Sequence, residues 1–134
     1  MTKKAQRHLA AIDAAARLIH REGFARPDPV DLVTGAAMLA DAAAELTRQG
    51  VRRLNGIPRY NFDTRDTRAT WTDADEKRAF KAEERARARV RDAVQIIFGP
   101  DAARLTIEMQ PDPRGAAVYL HLDGEGTGFP AAAF

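Results

Sequence analysis

The sequence predicts an α+β fold: an N-terminal helical hairpin, a long loop, and a third, charged helix packed on a C-terminal antiparallel β-hairpin. Three observations carry this. Apolar residues recur at four- and three-residue steps over three long segments. Each segment stops at a glycine: Gly23, Gly50 or Gly99. Beyond Gly99-Pro100 the apolar period drops to two, the signature of half-buried strands. A chain of 134 residues is expected to form one domain (1–134) that buries roughly two-thirds of the surface its unfolded form exposes.

Residues 1–50 read as an αα-hairpin. The first helix spans 3–22, with Ala5, Leu9, Ile12, Ala16 and Ile19 on one face. Gly23 fits the left-handed position after the helix, and Phe24 and Ile19 form the apolar pair of a Schellman cap. In "RPDPVD", Asp28 suits the N-cap and Pro29 the first helical position, where a missing N–H costs nothing. The second helix buries Leu32, Ala36, Leu39, Ala43 and Leu46, and a second Schellman stop is expected at Gly50 with Val51 and Leu46. Abundant alanine allows the two helices to approach closely.

Residues 51–72, "VRRLNGIPRYNFDTRDTRATWT", show no sustained period and read as a long basic and aromatic loop, a length usually reserved for function or mobility. Thr72 with Asp75 and Glu76 resembles a capping box for a third helix over 73–98. Its apolar stripe is Ala79, Ala82, Ala86, Val90, Ala93 and Ile97, with Phe80 and Val94 beside it. Over 104–122, "RLTIEMQ" and "AAVYLHL" alternate about the turn residues "PDPRG", which makes a β-hairpin whose apolar face needs a lid; the third helix is the nearest one. Pro111 and Pro113 fix φ, Asp112 can bond the backbone two residues on, and Gly115 permits positive φ. Residues 123–134 read as a Gly-rich tail.

Composition excludes several chemistries. There is no cysteine and no serine, which removes thiolate, disulfide and serine-nucleophile chemistry. The three histidines are scattered; His121 and Asp123 share a strand face but lack a third donor, so no metal and no cofactor is expected. The "GEGTG" run lacks the following helix a phosphate loop requires. Carboxylate pairs such as Glu83–Glu84 and Asp73–Asp75 read as solvated. Asp112, Arg114, His121 and Asp123, close in sequence, are the one constellation an enzyme could use, and the chain is read as a non-enzyme. Arg7, His8, Asp13 and Arg17 interrupt the N-terminal apolar run, which argues against a signal or spanning segment and for a soluble, cytoplasmic protein.

The net charge of +2 decides nothing, but its distribution is uneven: +4 over residues 51–98 and −3 over residues 99–134. Lys77, Lys81, Arg85 and Arg89 recur every four residues and form a drifting basic line along the third helix. The preceding loop interleaves Arg52, Arg53, Arg59, Arg65 and Arg68 with Tyr60, Phe62 and Trp71, where cations could meet phosphates and aromatics could stack on unpaired bases. An Arg-rich composition (17 Arg against 4 Lys) yields such a pattern without selection for binding. The candidate surface comprises Arg59, Tyr60, Arg65, Arg68, Lys77, Lys81, Arg85, Arg89 and the turn residue Arg114.

Residues 51–129 resemble a group of small uncharacterised bacteriophage and prophage proteins. In these an Asn-Gly segment and a charged helix lead into a "GDPRG" hairpin and a Gly-rich stretch; the most specific matching residues are Asp112-Pro113-Arg114-Gly115, with Pro111 where the group usually has glycine. The resemblance implies a mobile-element accessory protein working in the host bacterial cytoplasm. It implies no catalytic activity. Two roles follow as expectations. The first is binding a nucleic acid or host nucleoprotein through the basic surface. The alternative is a protein–protein inhibitor or adaptor of the anti-CRISPR type directed at a host defence system, with the Ala-rich helices offering a homodimer contact and an exposed apolar patch expected on the Leu32/Leu39/Leu46 face.

Overall fold

A computed structural model describes residues 1–56, 59–61, 66–68, 72–122 and 125–128, with side chains over 1–53 and 72–122. The fold is α+β. Helices α1 (Lys3–Glu22), α2 (Pro29–Gly56) and α3 (Asp73–Phe98) are joined by strands β1 (Arg59–Asn61) and β2 (Asp66–Arg68) between α2 and α3. A 3-10 helix (Gly99–Arg104) then leads into strands β3 (Thr106–Met109), β4 (Val118–Leu122) and β5 (Glu125–Gly128).

The helix ends follow from local chemistry. Thr2 caps α1 by accepting the Ala5 N–H at 3.0 Å. At the other end Gly23 takes φ 65°, and Phe24 N–H donates to Ile19 O at 3.0 Å, the expected Schellman closure. Asp28 accepts the Val30 N–H at 2.8 Å as N-cap of α2, with Pro29 first in the helix. Thr72 and Asp75 form the reciprocal capping box of α3.

The second helix does not stop at Gly50. It continues to Gly56, so the segment expected as a 51–72 loop begins as helix and then pairs β1 with β2 antiparallel, Tyr60 opposite Thr67. Gly50 is instead a point of close approach. A Cβ there would lie 2.9 Å from Pro113 N and 3.0 Å from the Asp112 N and C atoms, so glycine is required for the hairpin turn to rest on the helix. One turn earlier, the buried Thr47 hydroxyl donates to Gly115 O at 2.7 Å. The turn is thus fastened to α2 at two successive positions on one face.

The helices run antiparallel in order. His8 meets Asp41 at 2.8 Å between α1 and α2, and Gly35 packs against Ile97 and Ala93 of α3 while Arg53, far along α2, reaches Glu83. Helix α2 lies in the middle, with Ala36, Leu39, Ala43 and Leu46 fully buried as predicted and Ala40, Ala42 and Ala44 buried as well. That covers the Leu39 and Leu46 face, so the exposed patch expected there does not exist; Leu32 is half-buried.

Two other faces are corrected. Helix α1 buries Ala11, Ala15, Leu18 and Ile19, a stripe of the same period rotated by one residue, and leaves Leu9 and Ala16 exposed. Small side chains at 11 and 15 let the alanine-rich α2 come close, which favours that rotation over one that inserts Leu9. On α3 the stripe is Ala79, Glu83, Ala86, Val90, Ala93 and Ile97, with Val94 also buried; Phe80 is 59% exposed and Ala82 half-buried.

The C-terminal strands order as β3-β4-β5, antiparallel, with Ile107 opposite Leu120 and Met109 opposite Val118. The predicted hairpin is therefore present. Within the Gly-rich tail, "EGTG" (Glu125–Gly128) adds a third strand to it, Leu120 facing Thr127, and positions 123–124 and 129–134 lie outside the described residues. Val118 and Leu120 are fully buried in the core built with Leu46, Val90 and Val94. Arg87 of α3 donates to Met109 O at 2.8 Å, tying the helix to the end of β3. Phe24 closes the end of the helical layer, edge-on to Phe98 and beneath the Arg104 guanidinium at 4.9 Å.

Candidate functional site

The predicted basic line occupies α3, but it does not act as a unit. Four residues advance a helix about 40° past a full turn, so the line moves around the cylinder as it climbs. Lys77 and Lys81 face outward. Arg85 and Arg89 have turned far enough to enter a groove of about 540 Å³ that all three helices build. Helix α1 contributes Lys4 and Arg7, α2 contributes Asp41, Ala42, Glu45 and Arg48, and α3 contributes Ala82 and Ala86 beside the two arginines. The alanines keep the floor low between charged walls. Lys4, Arg7 and Arg48 had no signal in the sequence, because they lie on two other helices and their juxtaposition is purely tertiary.

The charges in the groove divide into committed and uncommitted groups. Asp41 is held by His8 at 2.8 Å and lies 3.9 Å from Arg7, whose side chain is largely buried with its Nε unpartnered among the described residues. Glu45 accepts from Arg48 at 2.6 Å and Gln49 at 2.7 Å. Burial pushes the Glu45 carboxyl up, but those hydrogen bonds and the Arg48 and Arg52 charges outweigh it and hold it below the ordinary glutamate range. Glu45 is therefore ionised, and both carboxylates are engaged by neighbouring side chains. Lys4, Arg85 and Arg89 are exposed and form no ion pair among the described residues. The rim carries three unspent positive charges, with Arg85 and Arg89 about 6 Å apart along the helix axis.

The remaining predicted residues are dispersed. Arg114 is exposed on the turn, where its backbone N–H donates to the Asp112 carboxylate at 2.8 Å in the expected local bond. That turn rests on Thr47 and Gly50. At 100° per residue these occupy the side of α2 opposite Asp41, Glu45 and Arg48, so Arg114 and the groove lie on opposite faces. Arg59 and Tyr60 fall on β1 and Arg68 on β2, with Arg59 opposite Arg68 in the register; Arg65, Phe62 and Trp71 lie outside the described residues. The Asp112, Arg114 and His121 constellation is not assembled. His121 sits four strand residues from Ala117 at the turn, about 13 Å away, and pairs with Glu108 across β3 and β4 at 2.9 Å; Asp123 is outside the described residues.

Of the carboxylates expected to be solvated, Asp73 and Glu84 are exposed but Glu83 is not. Glu83 is 5% exposed and pairs with Arg53 at 2.8 Å, while Arg53 also reaches Glu76 at 3.4 Å. Burial raises the Glu83 carboxyl, and the Arg53 and Arg87 charges offset only part of that, so its pKa stands above the ordinary range. The signal was available: Glu83 falls in the 79, 83, 86, 90 sequence of the buried stripe. No helix among the described residues is long and apolar enough to cross a membrane. Comparison with protein-family models, curated proteins and solved structures returns no match to this chain.

Proposed function

We propose that the protein acts by binding a nucleic acid, or a nucleoprotein through its nucleic acid, in the groove between α1 and α3. The observation that carries this reading is the set of three cations, Lys4, Arg85 and Arg89, unpaired among the described residues, that line one groove from two helices beside Ala42, Ala82 and Ala86. Cations held apart from internal carboxylates are free to replace the counterions of a phosphate backbone. The resemblance of residues 51–129 to phage-encoded proteins supports an accessory role of this kind in a bacterial host.

Counterion release gives the test a number. Three phosphate contacts predict a slope of about −2.7 in log K against log salt for a duplex, and removing Arg85 and Arg89 reduces it to about −0.9. Fluorescence anisotropy of labelled DNA and RNA over a salt series measures both. A slope that does not change in the Arg85→Gln/Arg89→Gln variant refutes the groove as the binding surface.

One observation favours a second reading, a protein partner. At the α1–α2 corner, Ile19, Phe24, Pro27, Pro29 and Leu32, together with His20 and Arg26, line a groove of about 460 Å³, and Val30 and Val33, next to Pro29 and Leu32 in the chain, are 70% and 52% exposed. A protein ligand there would leave binding insensitive to the rim arginines and sensitive to Val30→Asp.

A further inference from the structure

We infer that the groove grips the sugar-phosphate backbone of a double-stranded nucleic acid and does not read its base sequence. This rests on the nucleic-acid reading above and narrows it to one ligand class. Proteins that hold single strands supply aromatic platforms on which unpaired bases stack, and among the described residues none lines this groove. Its cations instead suit a regular backbone. Arg85 and Arg89 are spaced about 6 Å along a rigid helix, close to the separation of successive phosphates on one strand, and Lys4 lines the same groove from α1.

The floor argues the same way. Base edges are read by side chains that enter a groove of the nucleic acid with free donors and acceptors. Here the polar groups on the floor are already engaged: Asp41 with His8, and Glu45 with Arg48 and Gln49. Internally bonded and ionised, the Glu45 carboxylate also repels a phosphate that approaches too deeply. A backbone strand is therefore held at the rim, where Lys4, Arg85 and Arg89 stand, and its bases stay on the far side from the protein.

The test measures anisotropy of the full chain against two labelled duplexes of unrelated sequence and their separated strands, at low and moderate salt. The expected result is equal affinity for the two duplexes within about twofold, and binding of the single strands at least about fivefold weaker, in line with their lower charge density. The Arg85→Gln/Arg89→Gln variant loses duplex binding, whereas Arg17→Gln, at an exposed position of α1 outside the groove lining, keeps it; all three positions are exposed, and circular dichroism checks that each variant is folded. Tighter binding of single strands, or about a tenfold preference for one duplex sequence, overturns the duplex inference while leaving the nucleic-acid reading intact. No binding to any of the four ligands at low salt overturns both.

Discussion

Replacing Gly50 by alanine tests the most consequential difference between the helix the sequence suggests and the one the fold contains. In an exposed helix interior this change stabilises by about 1 kcal/mol, because alanine is the better helix former. Here the new methyl would sit 2.9–3.0 Å from three backbone atoms of Asp112 and Pro113. Backbone cannot rotate aside as a side chain can, so the turn must lift from α2, at an overpacking cost of about 1–3 kcal/mol. Lifting the turn also loosens the Thr47–Gly115 hydrogen bond, worth about 1 kcal/mol, although the Thr47 hydroxyl keeps its 3.1 Å contact with Ala43 O. The sum is a net destabilisation of about 1–3 kcal/mol, visible as a lower urea midpoint with an unchanged m-value. Amide hydrogen exchange should speed up around Arg114 and Gly115 before it does in the helices. A Gly50→Ala protein that outlasts the wild type in urea would refute the docked turn and the reasoning built on it.

Other expectations follow from the same contacts. Because folded Glu83 holds its proton more tightly than the unfolded chain does, its contribution to stability is fully present below the ordinary glutamate range and is lost as pH rises through the raised folded value. Glu83→Gln should remove that decline, as thermal melts across a pH series would show. Arg53→Ala should cost about 2–3 kcal/mol by leaving Glu83 buried without its partner, a value below that of a fully buried pair because Arg53 is about one-third exposed. Gly23→Ala should cost about 1 kcal/mol in the same melts through its φ of 65° alone, since nothing lies within 4 Å of the added methyl. Asp75 is held below the ordinary aspartate range by the Thr72 backbone N–H, then by Arg78 and the Thr72 hydroxyl. The stability it contributes is therefore present above the ordinary aspartate value and lost as pH falls through the folded one, and Asp75→Ala should abolish that acid sensitivity and fray the start of α3 in hydrogen exchange.

What the sequence determined by itself is local. The caps at Thr72 and Asp28, the Schellman stop at Gly23, the end of α3 at Gly99 and the change to a two-residue period all depend on residues within a few positions of one another. Such interactions are written directly into the order of side chains. Tertiary contacts decided the rest. Gly50 has the composition of a helix stop, and only the arrival of Asp112 and Pro113 from more than sixty residues away makes it a contact surface inside a continuing helix. The period of α1 was legible but its rotation was not, because two parallel stripes compete and the partner helix selects the one that packs closest. Strands β1 and β2, three residues each, are too short to show any period. Arg85 and Arg89 were visible as members of a basic line. Their separation from Lys77 and Lys81, and their meeting with Lys4 across a floor of alanine, exist only because three helices, each right-handed and 3.6 residues per turn, come together at one depth and one rotation.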